Sequence, residues 1–592
     1  MCFAGIFVQA RDFRAPRMLW RLWRLWLARA TLFDVLVAVV AALRVMPKVL
    51  KPLPFSPAGA KSCVDLFNYP VDVVETLCNG PEGARRAAQL HENLSLGWYI
   101  TEDYAGMGSA TMALRQGALA AMERGLIPET LKPFRSWRAC DVDPTSLKIL
   151  GADATYLTNV DDVAEHVFCD LCNRLPTDMK EMLNEMEPSL DASIEERRAH
   201  YDAMVIALRE NSPSIFRSDA KGVCLRCRGD CLFHPPAQSS WLASCGNTSD
   251  AANDVVQEHQ RPWHSNHAGH TCVAWSLRGK RDGLAHNSAR PFAIWAAERC
   301  AIGEDVVFAE CVTQFPPEVL VQAIPGRHVL TMYVGPEQLG WPIRRSRVLN
   351  ALLNPETTVW TGPSDYADDF AKLFHRVCML QGDALAMADD DERLEYMQPW
   401  AQRRGLHLNR AQTRRTRDVD IMKCLTPSAG RRWQRYDSLM REGGHTAFFG
   451  EIDQEYDSGH GRTCGPFIPT LMCHGEICNM GENAFLTPKE RFVAQGLPVY
   501  PELQKSYKAL GGVYSVPFAV DMIDNACAIR LAGNGQHQHV MLAWKFYIMS
   551  NIKRRASLER LSMVVPTPDA QDNEGVSSNK RPAKRRQITF AR

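Results

Sequence analysis

From Cys63 to Phe168, short apolar runs of strand length alternate with longer segments of helical period. That alternation constrains the chain to an α/β fold built on a parallel sheet, because parallel strands need long crossovers, usually helical. Leu96 to Tyr104 (LGWYITEDY) reads as a strand, followed by Gly106 and Gly108 and by a helix from Ser109 to Arg124. Trp137 to Val142 and Glu165 to Asp170 read as the next two strands. The rhythm resumes at Thr271 to Ser276 and again at Val306 to Val312 (VVFAECV). The expected architecture is therefore a doubly wound, Rossmann-like sheet.

Between these stretches the composition changes. Residues 175–245 read as an insertion, charged and helical from Met179 to Asn211, with a Cys-rich turn at Cys224, Cys227 and Cys231. Residues 349–484 show weak periodicity of either kind. Arg403, Arg404, Arg410, Arg414, Arg415, Arg417, Lys423, Arg431, Arg432 and Arg435 crowd this region. The division that follows is an N-terminal extension and Pro-rich linker (1–60), a catalytic domain (61–348), a smaller irregular region (349–484), a return to the first domain (485–555) and a basic tail (556–592).

With 592 residues and 46% hydrophobic content the chain has enough apolar material for a large core, which excludes wholesale disorder. Lys+Arg 68 against Asp+Glu 67 leaves no global field, so a nucleic-acid partner must be met by a local basic patch. The 19 cysteines are spread too widely for a small disulfide scaffold, and reduced thiols are expected. The longest apolar segment, Ala30 to Leu43, carries Asp34 and falls short of the roughly 18–20 residues of a membrane span. Before it, MLWRLWRLWL (Met18 to Leu27) is Arg-rich and nearly free of acid, as in an organelle-targeting helix or a packed extension. The tail ends in Lys580 to Arg586 (KRPAKRR), a basic run of nuclear-import type or a solvated charge run.

Three strand ends carry suggestive chemistry. Tyr104-Ala-Gly106-Met-Gly108 places glycines between strand and helix, where backbone amides approach a ligand. Asp141 closes the second strand, where an acid accepts from ribose hydroxyls, and Asp170 closes the third, within reach of an adenine amine. Together they describe an adenosyl pocket; no P-loop accompanies them. Cys272, ahead of small and polar loop residues with Arg278, Lys280, Arg281 and His270 nearby, reads as a nucleophile, or else as a buried structural thiol. Glu310 ends the following strand, and Arg344-Arg-Ser-Arg347 offers guanidinium forks.

These motifs, in this order, resemble the cytosine-5 DNA methyltransferase family. Its Phe-x-Gly-x-Gly loop is matched by Tyr104, Gly106 and Gly108, and its two pocket acids by Asp141 and Asp170. Its Pro-Cys-x-x-Phe-Ser-x-x-Gly loop is matched by Cys272, Trp275, Ser276 and Gly279, and its Glu-Asn-Val by Glu310, Cys311 and Val312. Its Gln-x-Arg-x-Arg is matched at Ile343 to Arg347, keeping Arg345 and Arg347. LTPKERFVAQGLP (Leu486 to Pro498) and Gly533-Asn534-Gly535 resemble the closing blocks, the second of which packs beside the cofactor. Thr271, Cys311 and Ile343 depart from the family pattern, each at a positioning residue.

The resemblance implies a methyltransferase sheet with a target-recognition region at 349–484, S-adenosylmethionine as cofactor, and methyl transfer to carbon 5 of a flipped cytosine in DNA. Cys272 and Glu310, with Arg345 and Arg347, would be catalytic; Tyr104, Gly106, Gly108, Asp141, Asp170 and Asn534 would hold the cofactor. The alternatives are an RNA cytosine methyltransferase and a silent nucleic-acid-binding homologue. A nuclear location is expected, with an organelle the alternative. No bound metal is expected; were structural zinc present, Cys224, Cys227, Cys231 and Cys245, or His234, form the candidate set. His264, His267 and His270 read as a His-rich loop.

Overall fold

The computed structural model describes residues 56–556 except 81, 190, 237–260, 277, 278, 280, 409–412 and 455–463. The Arg-rich N-terminal segment, Arg278, Lys280, Cys245, Arg410 and the basic tail lie outside the described residues.

Seven strands form the central sheet: β1 (Trp98–Asp103), β2 (Phe134–Cys140), β3 (His166–Phe168), β4 (Trp263–Gly269), β5 (Val306–Val312), β6 (His328–Val334) and β7 (Arg347–Leu353). Their order is β3-β2-β1-β4-β5-β7-β6. The first five are parallel, while β7 runs antiparallel to both β5 and β6. Helices α1 (Tyr69–Asn79), α2 (Ser109–Glu123) and α5 (Gln538–Met549) pack together against one face. Helices α3 (Ile194–Ile215) and α4 (Ala289–Ile302) pack together against the other. The expected doubly wound, Rossmann-like sheet is present. Burial on both faces leaves β1 buried along its whole length and β5 along all but its last residue. No helix among the described residues is long and apolar enough to cross a membrane.

Strand β4 is where the sequence reading fails. Thr271 to Ser276 is a turn, not a strand, and the strand lies earlier, at WHSNHAG, in the expected His-rich loop. Its polarity hid it. Several of its buried polar groups are paired inside the sheet: Ser265 Oγ and His267 Nε2 lie 2.8 Å apart, and Asn266 Nδ2 donates to Thr101 Oγ1 at 3.0 Å and Asp103 Oδ2 at 2.8 Å. Met179 to Asn211 is likewise two helices, Thr177–Glu185 and α3, the second opened by a capping box at Ser193 and Glu196.

The sheet also runs past position 348, since β7 continues to Leu353, and Thr358–Trp360 pairs with Ile552–Arg554 near the end of the described chain. Strand pairing therefore puts the start of the smaller region later than 349. That region holds a four-stranded antiparallel sheet of two- and three-residue strands, with helices Asp390–Gln402 and Pro427–Glu442 packed on it.

Candidate active site

In an open α/β sheet, ligands bind outside the carboxyl ends of the strands where the strand order reverses. Here that point lies between β1 and β4, flanked by the Tyr104–Gly108 turn and the Thr271–Ser276 loop. Because β7 runs the other way, its first residue reaches the same edge: Arg347 pairs in register with Val312, at the carboxyl end of β5.

The Tyr104 turn is built from left-handed backbone, with φ of 54° at Tyr104, 57° at Gly106 and 75° at Gly108. A Cβ on Gly106 would meet nothing within 4 Å, so the turn stays open there. Asp141 Oδ2 accepts from Gly106 N at 2.7 Å and Oδ1 from Asp143 N at 2.8 Å. Burial raises the Asp141 carboxyl above its usual range. A carboxylate offers about four lone-pair sites, so these two bonds leave acceptor capacity. Asp170 caps the short helix Leu171–Arg174 through Cys172 N, at 2.9 Å.

The Cys272 loop is a tight turn in which Trp275 N and Ser276 N both donate to the Cys272 carbonyl, at 3.0 and 2.8 Å. Gly279 closes it: a Cβ there would sit 1.8 Å from Val273 O. The Cys272 thiol is pulled down to about 7. The leading cause is a hydrogen bond from the Cys311 thiol; burial opposes it, and the Arg347 guanidinium adds to it. Cys272 Sγ and Cys311 Sγ both donate to the His270 carbonyl, at 3.6 and 3.9 Å, which places the two thiols side by side.

Glu310 sits opposite Gly269 in the sheet, its Oε1 2.8 Å from Arg347 Nε and its Oε2 3.4 Å from Gln536 Nε2. The structure thus brings Cys272, Glu310 and Arg347 together on one edge. The Tyr104 turn joins them through the segment after Gly533: Gln536 N donates to Ser109 Oγ, and a Cβ on Gly535 would lie 1.9 Å from Met107 Cε. Gln536 follows the Gly-Asn-Gly motif by one residue and carries no sequence signal of its own.

Arg345 is placed differently. Buried, it donates to Leu471 O at 3.1 Å, Gly533 O at 2.9 Å and Gly535 O at 2.6 Å, and burial lowers its guanidinium to about 9. It fastens chain segments rather than facing Cys272 with an open donor fork. Asn534 is exposed, and its Oδ1 accepts from Cys473 Sγ at 2.6 Å. Ile343 is fully buried and bridges to Ile468.

Between the two loops lies a cavity of about 20 Å³, lined by Tyr104, His270, Trp275, Ser288 and Phe292 among others. That is the scale of one water molecule. Tyr104 Oη and both ring nitrogens of His270 are buried without a hydrogen-bond partner in the protein.

Behind the site lies a buried charge cluster. Asp103, the last residue of β1, meets Arg174 at 2.5 Å, Arg299 at 3.1 Å and Arg138 at 3.3 Å. Glu298 on α4 pairs with Arg138, Arg174 and Arg299. Its Oε1 also lies 3.2 Å from His234 Nε2. Burial alone would raise both carboxyls; the surrounding guanidiniums outweigh it and hold them below the carboxylate range.

In the smaller region, Arg403, Arg404, Arg414, Arg415, Arg417, Lys423, Arg431 and Arg435 are exposed. Several are paired on the surface, as Arg417 is with Glu482 at 3.0 Å.

No family model and no curated protein matches the chain. Among solved structures it is similar to an E. coli prophage-encoded protein described as a DNA modification methyltransferase, at 11% identity, with 77% of this chain and 98% of that one covered and a TM-score of 0.34. It is similar also to the Entamoeba histolytica methyltransferase EhMeth (9% identity, 76% and 98% covered, TM-score 0.32) and to S. pombe Dnmt2 methyltransferase (11%, 78% and 98%, TM-score 0.30). At these TM-scores the likenesses carry no functional weight.

Proposed function

We propose that this chain transfers a methyl group from S-adenosylmethionine to carbon 5 of cytosine in DNA, through a covalent adduct of Cys272 with a flipped base. The observation that supports it is the convergence of Cys272, Glu310 and Arg347 on the edge that carries the Tyr104–Gly108 turn. Tyr104, Gly106, Gly108, Asp141 and Asp170 are the residues that would hold the cofactor; the open face of the turn and the spare acceptor capacity of Asp141 fit it. When bound, it supplies an electrophilic methyl group to carbon 5.

The protein's own residues do the rest. Carbon 5 of cytosine is a poor nucleophile until a sulfur adds to carbon 6. The pull on the Cys272 thiol below its usual value favours the thiolate that this addition needs. As the sulfur–carbon bond forms, negative charge moves onto the ring. Glu310 meets it by holding the proton at ring nitrogen 3, with Arg347 fixing the carboxyl in place. Loss of the carbon 5 proton then restores the ring double bond and expels the thiolate. A base stacked in a duplex cannot reach this edge, so the target must swing out. The exposed arginines of the smaller region suit phosphate contact, with an affinity that falls with salt.

The test is a DNA duplex carrying 5-fluorocytosine, which lacks the proton whose loss frees the enzyme. Incubated with protein and S-adenosylmethionine, it should give a denaturant-stable complex with the wild type and none with Cys272→Ala. No complex with wild-type protein that binds the cofactor would refute the reading. A 5-fluorocytosine RNA run in parallel that traps while DNA does not would move the substrate to RNA.

A further inference from the structure

The hairpin of the insertion, Lys221–Cys224 and Gly229–Leu232, lies against β3 at the edge of the sheet. Leu225 N donates to Val167 O at 2.8 Å, and the rings of Phe233 and Phe168 lie 4.8 Å apart. At this junction His166, the first residue of β3, turns its ring toward three cysteines of the hairpin. Its Nδ1 lies 3.5 Å from Cys227 Sγ and 3.9 Å from Cys224 Sγ. The ligand atoms of His166, Cys224, Cys227 and Cys231 all lie within 4.8 Å of one another.

We propose that His166, Cys224, Cys227 and Cys231 form a structural zinc site that fastens the insertion to the edge strand. The geometry matches what the metal asks for. With zinc–sulfur bonds near 2.3 Å and a zinc–nitrogen bond near 2.0 Å, a tetrahedral site has sulfur–sulfur edges of about 3.8 Å and sulfur–nitrogen edges of about 3.6 Å. The two sulfur–nitrogen separations from His166 bracket that edge within a few tenths of an ångström. The widest separation must close by no more than about 1 Å to reach the same geometry.

The surroundings suit thiolates. Cys224 Sγ accepts from Val167 N and Cys227 N, both at 3.4 Å, as a charged sulfur would. The Cys-x-x-Cys turn is closed by Arg228 N donating to Cys224 O at 2.9 Å, with Arg228 in left-handed backbone at φ 56°. Trp137 packs edge-on against His166, with centroids 4.8 Å apart, and fixes the plane of the imidazole. Cys224 is buried while Cys227 is exposed, which leaves the metal a way in.

This departs from one expectation from the sequence. The ligand completing the set is His166, 58 residues before Cys224, not His234, which belongs to the buried charge cluster. Cys245 lies outside the described residues. Spacing along the chain could not find a ligand supplied by a neighbouring strand.

The experiment uses the full chain, purified without chelator and analysed for metal by mass spectrometry. About one zinc per chain is expected, falling at least tenfold in the Cys227→Ser, Cys231→Ser double variant. Should that variant fail to fold, cobalt substitution of the wild type decides. Thiolate-to-cobalt charge transfer together with intense tetrahedral visible bands supports the site. Wild-type protein that is folded, zinc-free and without those bands after cobalt reconstitution overturns it, as does a folded double variant that keeps its zinc.

Discussion

Arg345 Nη2 lies 2.6 Å from the carbonyl oxygen of Gly535, and through this bond a residue just ahead of β7 holds the segment that docks beside the Tyr104–Gly108 turn. The same guanidinium also holds Gly533 and Leu471. Arg345→Ala strips three carbonyls of their donor, and a buried polar group left unpaired costs about 1–3 kcal/mol. Urea denaturation of Arg345→Ala should show a loss of at least that size, with Arg345→Lys recovering part of it. Unchanged stability in the alanine variant would dissolve the clamp.

Cys311 should set the reactivity of Cys272. The hydrogen bond from its thiol leads the causes that pull the nucleophile down to about 7. In Cys311→Ala the pH midpoint for alkylation of Cys272 by iodoacetamide should therefore move upward, toward the ordinary thiol value of about 8.5. An unmoved midpoint would assign the shift to the Arg347 and Arg345 guanidiniums.

Acid should unfold this protein earlier than carboxylates alone would. Burial drives His234 down to about 4, His270 and His539 to about 3, and His264, His267 and His537 well below the usual imidazole value. Each is neutral in the folded chain and binds a proton on unfolding. The stability they support is full above about pH 6.5 and drains away as pH falls toward the folded values. One such group changes stability by about 1.4 kcal/mol per pH unit, so three acting together give roughly 4, a large share of a typical total. Thermal midpoints should fall steeply between pH 6.5 and 5; a flat profile there would contradict the burial of these rings as neutral species.

Glu298→Gln tests the charge cluster. Breaking a fully buried ion network by removing one partner costs about 3–5 kcal/mol, because guanidiniums are left unmatched. The exposed pair Arg198–Asp202 is the control, and Asp202→Asn should cost under about 1 kcal/mol. Equal losses in chemical denaturation would mean that water reaches the cluster.

Gly279→Ala should leave the fold intact and disable the nucleophile loop. The added methyl collides with Val273 O, and only the turn that carries Cys272 has to move. Expected are an unchanged circular dichroism spectrum and at least a hundredfold slower trapping by 5-fluorocytosine DNA. Wild-type trapping rates would show that the loop absorbs the change.

The sheet was legible in part: β6 and β7 were not read as strands although both are largely apolar. Val306 to Val312 was read with its true bounds, and Leu96 to Tyr104 overran β1 by only a few residues. Strand β4 was not legible, because Ser265, Asn266 and His267 trade hydrogen bonds across the sheet interior and so look like loop. In the site, Cys272, Glu310 and Arg347 were each visible as motif residues, but their convergence depends on β7 running antiparallel, which no local pattern encodes. Gln536 and His166 act through partners far along the chain, and one sequence gives no sign of such pairings.

The buried cluster behind β1 has a consequence for how this chain can be altered. Arg174 lies at the threshold of the insertion and His234 at its far side, yet both meet Glu298, which also holds Arg138 of β2. Excising residues 175–235 would remove the Phe233 carbonyl that accepts from Arg138 Nη1 at 2.9 Å and the His234 ring beside Glu298, and would uncover the ion pairs that remain. The Cys-rich insertion is thus a keystone: any shortened version of this protein must redesign the interior before it can lose the loop.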